Sequence, residues 1–270
     1  MAEQLTLGFV GAGAMGGAIA RGLVECGAVD ASSVAVSDLS EGIRTSFVQL
    51  GCAAYDDAAA MLAEFDPKVV FIAVKPQVLA AVVSPLAQAL SGRLVVSIAA
   101  GVKVATIEGL LGTGARVVRC MPNMPMQVRS GAAAICGGAC ATAADVELVR
   151  SLFEIISVAR VMREDQVDVA GIVFGSSPAF FALFVDQLAR AGVEAGLPAA
   201  DCREMIEATM KGVATQLLES GMHPREYMEK ISSPGGTTIV ATRQLEGRTF
   251  EAICDAVDAA RARTRELAGE

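Results

Sequence analysis

The stretch "LTLGFVGAGAMGGAIARGL" (residues 5–23) limits the possible folds more than any other part of the chain. An apolar run, Leu5 to Val10, leads into Gly11-Ala12-Gly13-Ala14-Met15-Gly16, and an alanine-rich helical pattern follows from Met15 to Cys26. A G-x-G-x-x-G turn is informative when it lies between a strand and a helix in this way. Gly11 permits the tight turn, Gly13 lets a pyrophosphate approach the backbone, and Gly16 lets the helix lie close to the strand. The helix N-terminus offers unpaired N–H groups and a partial positive charge to phosphate. The expectation is a dinucleotide held by residues 11–16.

The first half repeats this plan. Further short strands are expected at Val34–Ser37, Val69–Val74, Leu94–Ile98 and Arg116–Met121. Helices are expected between them at Glu41–Leu50, Asp57–Glu64, Gln77–Leu90 and Thr106–Leu111. The strands are continuously apolar, which points to a parallel sheet covered on both faces. A strand near Ala132–Ile135, a helix Ala143–Ile156 and a strand near Val158–Met162 complete a Rossmann-type doubly wound parallel α/β sheet. After about Arg163 the strand-like runs end. Helices are expected at Gln166–Phe174, Pro178–Ala195, Pro198–Ser220, Pro224–Ile231 and Phe250–Leu267, with prolines near starts and glycines near ends. The division is a dinucleotide-binding domain, 1–163, and an all-helical domain, 164–270. The helix within "SPAFFALFVDQLARAGVEAG" is apolar around most of its circumference, so a partner chain is expected to cover it, making the second domain a dimerisation domain.

Composition narrows the function. The net charge of −8, without basic clusters, argues against nucleic acid and anionic membrane partners. The longest apolar runs fall short of the roughly 18–20 residues a membrane span needs. The N-terminal stretch reads as neither a signal nor a transit peptide, so a soluble cytoplasmic protein is expected. Seven scattered cysteines fit a reducing compartment, and Cys136 and Cys140 lack the companions a metal site needs, so no metal is expected. The one histidine, His223, precedes Pro224 and reads as a helix-end residue rather than a catalyst.

The second strand ends in "VAVSDLSEGIR" (34–44). Asp38 favours NADH, whereas Ser37, Ser40 and Arg44 favour NADPH, and the stretch leaves both open. Lys75 and Pro76, in "AVKPQ" (73–77), fall at the C-terminal edge of the sheet, where open α/β sheets bind ligands. Near the other end, "KISSPGGTTIVATRQLE" (230–246) places Pro-Gly-Gly and two threonines between helical stretches. Glycines there let the backbone come close to a ligand.

Together these motifs resemble the pyrroline-5-carboxylate reductase family. The likeness covers nearly the whole chain: GFVGAGAMG (8–16), AVKPQ (73–77), VVSIAAGV (95–102), RCMPNMP (119–125), GSSPAFF (175–181), AGVEAGLP (191–198) and SSPGGTTI (232–239). It implies NAD(P)H-dependent reduction of 1-pyrroline-5-carboxylate to L-proline, by a homodimer that often assembles further into decamers. Coenzyme contacts are implied at Gly11, Ala12, Gly13, Ala14, Met15, Gly16, Ser37, Asp38, Val74, Lys75, Pro76, Ala99 and Asn123. The substrate carboxylate is expected on N–H groups near Gly235, Gly236 and Thr237, and the ring nitrogen on the Thr238 hydroxyl. Ser233 lies at the same turn, and Glu164 matches an acidic position close to substrate and coenzyme. Ala14, Ala58, Met124 and Phe180 stand where the family usually carries hydrogen-bonding side chains. Two rival readings are a β-hydroxyacid dehydrogenase, opposed by the absence of lysine from Gln166 through Asp201, and a reductase of another cyclic imine. A non-catalytic dinucleotide sensor would bind coenzyme without turnover.

Overall fold

Leu7–Val10 (β1) is buried at every residue, and so are Val34–Ser37 (β2), Val69–Ile72 (β4) and Leu94–Ser97 (β5). Strands without a polar face need cover on both sides, and the computed structural model, which describes residues 5–268, provides it. The first four residues, part of the stretch read for targeting, lie outside the described residues, as do 269 and 270. Ala53–Tyr55 (β3), Arg116–Pro122 (β6), Gly131–Gly137 (β7) and Ser157–Val161 (β8) complete an eight-stranded sheet of order β3-β2-β1-β4-β5-β6-β7-β8. All neighbours are parallel except β6 and β7, which form an antiparallel pair with Cys120 opposite Ile135. The expected doubly wound parallel sheet is present, with this one antiparallel pair added. The link from β6 to β7 is too short for a crossover helix, so the chain must turn straight back.

Helices Ala14–Glu25 (α1), Glu41–Gln49 (α2), Ala58–Glu64 (α3), Pro76–Leu90 (α4), Val104–Leu111 (α5) and Ala143–Ile156 (α6) fill the crossovers. Alternate strand residues enter opposite layers, as the two-residue period of a strand requires. Phe9 and Phe71 stack with centroids 4.5 Å apart, in a layer with Val36, Val96 and Phe153. Val10, Val70, Ile72 and Val95 face the other way, onto Met61, Leu62, Leu79 and Val83. Fully burying a side chain of this size contributes about 1.5–3 kcal/mol, so these layers are the main source of the sheet's stability.

The rest is helical: Glu164–Glu194 (α7), Ala199–Ser220 (α8), Pro224–Ile231 (α9) and Thr237–Ala268 (α10). Two expectations are corrected. The helices expected on either side of Pro178 are one helix, with the proline inside it. The last helix begins at Thr237, directly after the Pro-Gly-Gly turn, rather than at Phe250.

The chain divides into two compact bodies, one ending at Ser176 and rejoined by the chain end from Thr264, the other Ser177–Arg263. In the second body Cys202 is buried and packs so closely on Gly192 that a Cβ there would collide with its sulfur. Phe181, Phe184 and Leu188, spaced along one side of α7, are 58%, 44% and 46% exposed in the single chain. By length and composition alone, α7 also meets the requirement for a membrane-crossing helix.

Candidate active site

Strand order runs outward from β1 in one direction to β3 and from β4 in the other to β8, so the switch point lies between β1 and β4. In such sheets the binding crevice opens at the carboxyl ends of these strands. The glycine turn follows β1, and Lys75-Pro76 follows β4.

The three glycines of the turn differ in surroundings. Gly11 has φ +90°, and a Cβ on it would stand 2.9 Å from the Ala73 carbonyl; its N–H donates to Ser37 O at 2.8 Å. A Cβ on Gly16 would run into the Gly11 carbonyl. A Cβ on Gly13 would meet nothing within 4 Å. Gly13 is also the residue that caps α1, and being glycine it has no side chain to bond the N–H groups of that helix's first turn. A tight turn, a close helix and an open, donor-lined surface are what a pyrophosphate needs, so the residues fit a dinucleotide.

Asp38, just beyond β2, has one carboxylate oxygen on the Ala12 N–H and the other on the Ser40 N–H, each at 2.9 Å. Arg44 reaches the same loop, donating to the carbonyls of Asp38 and Leu39 at 2.8 and 2.9 Å. Asp38 and Arg44, which point to different coenzymes, therefore meet at one loop. Ser37 is buried and Met15 is partly packed into the core. Val74 lies against Gly11, and Ala99 is buried just past β5. Lys75 is exposed at the start of α4, with Pro76 as the first residue of that helix. Ala14, otherwise exposed, accepts at its carbonyl a 3.4 Å contact from the Gln127 amide, 113 residues away.

Glu164 and Asn123 have definite partners. Oε1 of Glu164 accepts from the Val104 N–H at 2.7 Å, at the start of α5, and from Arg119 at 3.1 Å. Arg119 is 1% exposed and also bonds Asp168 at 2.7 Å, and Lys103 pairs with the other Asp168 oxygen. Burial works to raise the Asp168 carboxyl, but bonds from Lys103 and Arg119 outweigh it and hold the group below its ordinary value. The Asp168 bond pushes Lys103 up. This four-membered network was missed from sequence, although an arginine within "RVVRCMP" (116–122) demands a buried partner. Asn123 is engaged at both ends of its amide, donating to Phe174 O at 3.0 Å and accepting from the Ala132 N–H at 2.8 Å.

In the second body, Ser233-Pro234-Gly235-Gly236 forms a turn closed by the Gly236 N–H on Ser233 O at 2.9 Å. Proline in second place and Gly235 at φ +68° in third is the type II pattern. The Gly236 N–H is used within the turn. The first N–H groups of α10, those of Thr237 and Thr238, have no helical acceptor behind them. Thr238 is half-buried, while Ser233 and Gly235 are exposed. His223 caps α9, its Nδ1 accepting from the Arg225 N–H at 3.2 Å.

Residues 164–267 match the family model described as pyrroline-5-carboxylate reductase dimerisation. Residues 6–101 match that of NADP oxidoreductase, coenzyme F420-dependent. Pyrroline-5-carboxylate reductase 3 of Bos taurus is 38% identical over 97% of this chain and 85% of its own. The chain belongs to the pyrroline-5-carboxylate reductase family. A solved pyrroline-5-carboxylate reductase from Coxiella burnetii superposes with TM-score 0.92 at 31% identity, over 98% of this chain and 99% of the other. A pyrroline carboxylate reductase from Plasmodium falciparum, with NADP bound, gives 0.85 at 25% identity over the same shares. The doubly wound sheet with its helical extension is thus the family's fold, and an NAD(P)H-dependent oxidoreductase acting on a C=N bond is the family's enzyme class.

Proposed function

We propose that this chain reduces 1-pyrroline-5-carboxylate to L-proline with NADPH or NADH, the last step of proline biosynthesis, in the cytoplasm. The observation that carries the reading is the turn 233–236 opening α10: it leaves backbone donors and a threonine hydroxyl together, the two features a ring carboxylate and a ring nitrogen require. The chain works as a coenzyme-binding domain, 1–163, and a helical domain, 164–270. Residues 11–16, with Ser37, Asp38, Val74, Lys75, Pro76 and Ala99 around them, form the coenzyme pocket. The bound dinucleotide supplies a hydride to the imine carbon.

The substrate carboxylate lies on the N–H groups at Gly235, Thr237 and Thr238, where successive donors and the helix N-terminus both favour an anion. Gly236 contributes by allowing the turn: a Cβ there would strike the Ser233 hydroxyl. The Thr238 hydroxyl bonds the ring nitrogen, which ends the reaction protonated, and Ser233 flanks it. An iminium substrate needs no strong acid, so positioning is the main contribution of these residues. Glu164 is a further catalytic residue, its carboxylate fixed by Arg119 and the start of α5.

The exposed stripe Phe181, Phe184 and Leu188 is the surface that pairs two copies, and any decamer is built from such dimers. Thr238→Ala lowers kcat/KM for the imine about 100-fold, while Thr238→Ser keeps most of it, the loss expected when the reacting ring is misplaced. Equal activity in all three proteins refutes a role for that hydroxyl.

A further inference from the structure

Pro178 lies inside α7 and has no N–H, so it cannot give the usual helical bond to the carbonyl four residues earlier, that of Phe174. The side-chain amide of Asn123 donates to that same carbonyl, at 3.0 Å. The direction of the amide is fixed by its other end: Oδ1 must face the Ala132 N–H at 2.8 Å, which leaves Nδ2 toward Phe174. Asn123 is 9% exposed, and its own N–H bonds Ala132 O at 3.2 Å, so the side chain stands on a clamped backbone.

Asn123 is also the last of three alternate residues leading off β6 toward α7. Arg119 pairs with Glu164 and Asp168. Met121 lies against Gly171 and Gly175, where added Cβ atoms would stand 3.2 and 3.4 Å from it. Side chains two apart on a strand share a face, and this face carries the first part of α7, from its first turn to Gly175. Past Asn123 the chain continues to Gln127, which touches Ala14 in the glycine turn.

We propose that Asn123 is a positioning residue rather than a coenzyme ligand: its amide replaces the helix bond lost at Pro178 and holds that turn of α7 to the end of β6. The kinetic consequence rests on the reductase reading, since hydride transfer requires the reacting atoms to be held about 3–3.5 Å apart. The stability consequence is independent of it.

A double-mutant cycle tests the proposal, because Pro178→Ala restores an N–H at residue 178. The full chain and the variants N123A, P178A and N123A/P178A are compared by thermal melting, by NADPH and NADH titration, and by turnover of 1-pyrroline-5-carboxylate. N123A is expected to lower Tm by about 3–6 °C. It should lower kcat about tenfold while leaving coenzyme Kd within about twofold. In the P178A background the same change should lose more than half of both effects. N123D, which keeps an acceptor for Ala132 but has no donor for Phe174, should behave like N123A. Losses of equal size in both backgrounds overturn the proposal, as does an N123A protein with normal Tm and a coenzyme Kd raised about tenfold or more. If no variant turns over the imine, the reductase reading fails, and the Tm cycle still decides whether Asn123 serves Pro178.

Discussion

Replacing Arg119 with methionine keeps the length and apolar stem of the side chain and removes its charge. The guanidinium is almost fully buried and bonds two carboxylates, Glu164 at 3.1 Å and Asp168 at 2.7 Å. Removing one partner of a fully buried ion pair costs about 3–5 kcal/mol. Here the carboxylates are 34% and 25% exposed, and each keeps another partner, Val104 N–H for Glu164 and Lys103 for Asp168. That rehydration and re-pairing reduce the expected loss to about 2–3 kcal/mol, which for a chain of this size lowers Tm by about 5–10 °C. The loss should depend on pH. Asp168 is held below its ordinary value by Lys103 and Arg119 against the effect of burial, so its contribution is present above the unfolded carboxyl's pKa of about 3.9 and is lost as pH falls through the folded value. The Tm gap between wild type and R119M should therefore be widest near neutrality and narrow below about pH 4. Calorimetry from pH 7 to 3 measures it. A gap under about 2 °C at neutral pH, or one that does not change on acidification, refutes the claim that this network anchors α7.

Three further predictions concern the coenzyme turn and the apolar stripe. Gly13→Ala should melt like wild type, because its Cβ meets nothing, yet bind coenzyme about tenfold or more weakly, whereas Gly16→Ala should lose stability because its Cβ strikes the Gly11 carbonyl. Thermal melts paired with coenzyme titration separate the two; a G13A protein with unchanged affinity contradicts the site. Asp38→Ser should shift the ratio of NADPH to NADH affinity toward NADPH by about tenfold, since it removes a carboxylate held by Ala12 and Ser40 beside Arg44. An unchanged ratio in titrations excludes Asp38 as the discriminator. Phe184→Asp places a charge in the exposed stripe of α7 and should halve the mass seen by light scattering if that stripe joins two copies; an unchanged mass places the interface elsewhere.

Much of the fold was legible because long-range and local signals agreed. The runs at Val34–Ser37, Val69–Val74 and Leu94–Ile98 are apolar throughout, as strands covered on both faces must be, and the glycine turn needed only its neighbours to be interpretable. The misses came from cases where one local rule competes with a distant contact. Proline ordinarily ends a helix, so a local rule divides α7 at Pro178; the bond from Asn123 to Phe174, 51 residues away, is not visible to such a rule. Glycines and β-branched residues at Gly235–Val240 read as loop, whereas α10 starts there and extends for 32 residues. Strand β3, only Ala53–Tyr55, lacks a bulky apolar signal and exists as a partner for β2. In the candidate site, motif and spacing single out Gly11, Gly13 and Asp38, and the fold brings the Asp38 carboxylate to the Ala12 N–H. The Arg119 network was not, because Glu164 and Asp168 lie 45 and 49 residues from it.

The most direct test of the central claim is steady-state turnover of 1-pyrroline-5-carboxylate by the purified chain, with NADPH and NADH in parallel and L-proline measured as product. The expected result is oxidation of coenzyme matched one to one by proline. Coenzyme bound tightly at the glycine turn with no proline formed from either coenzyme would contradict it.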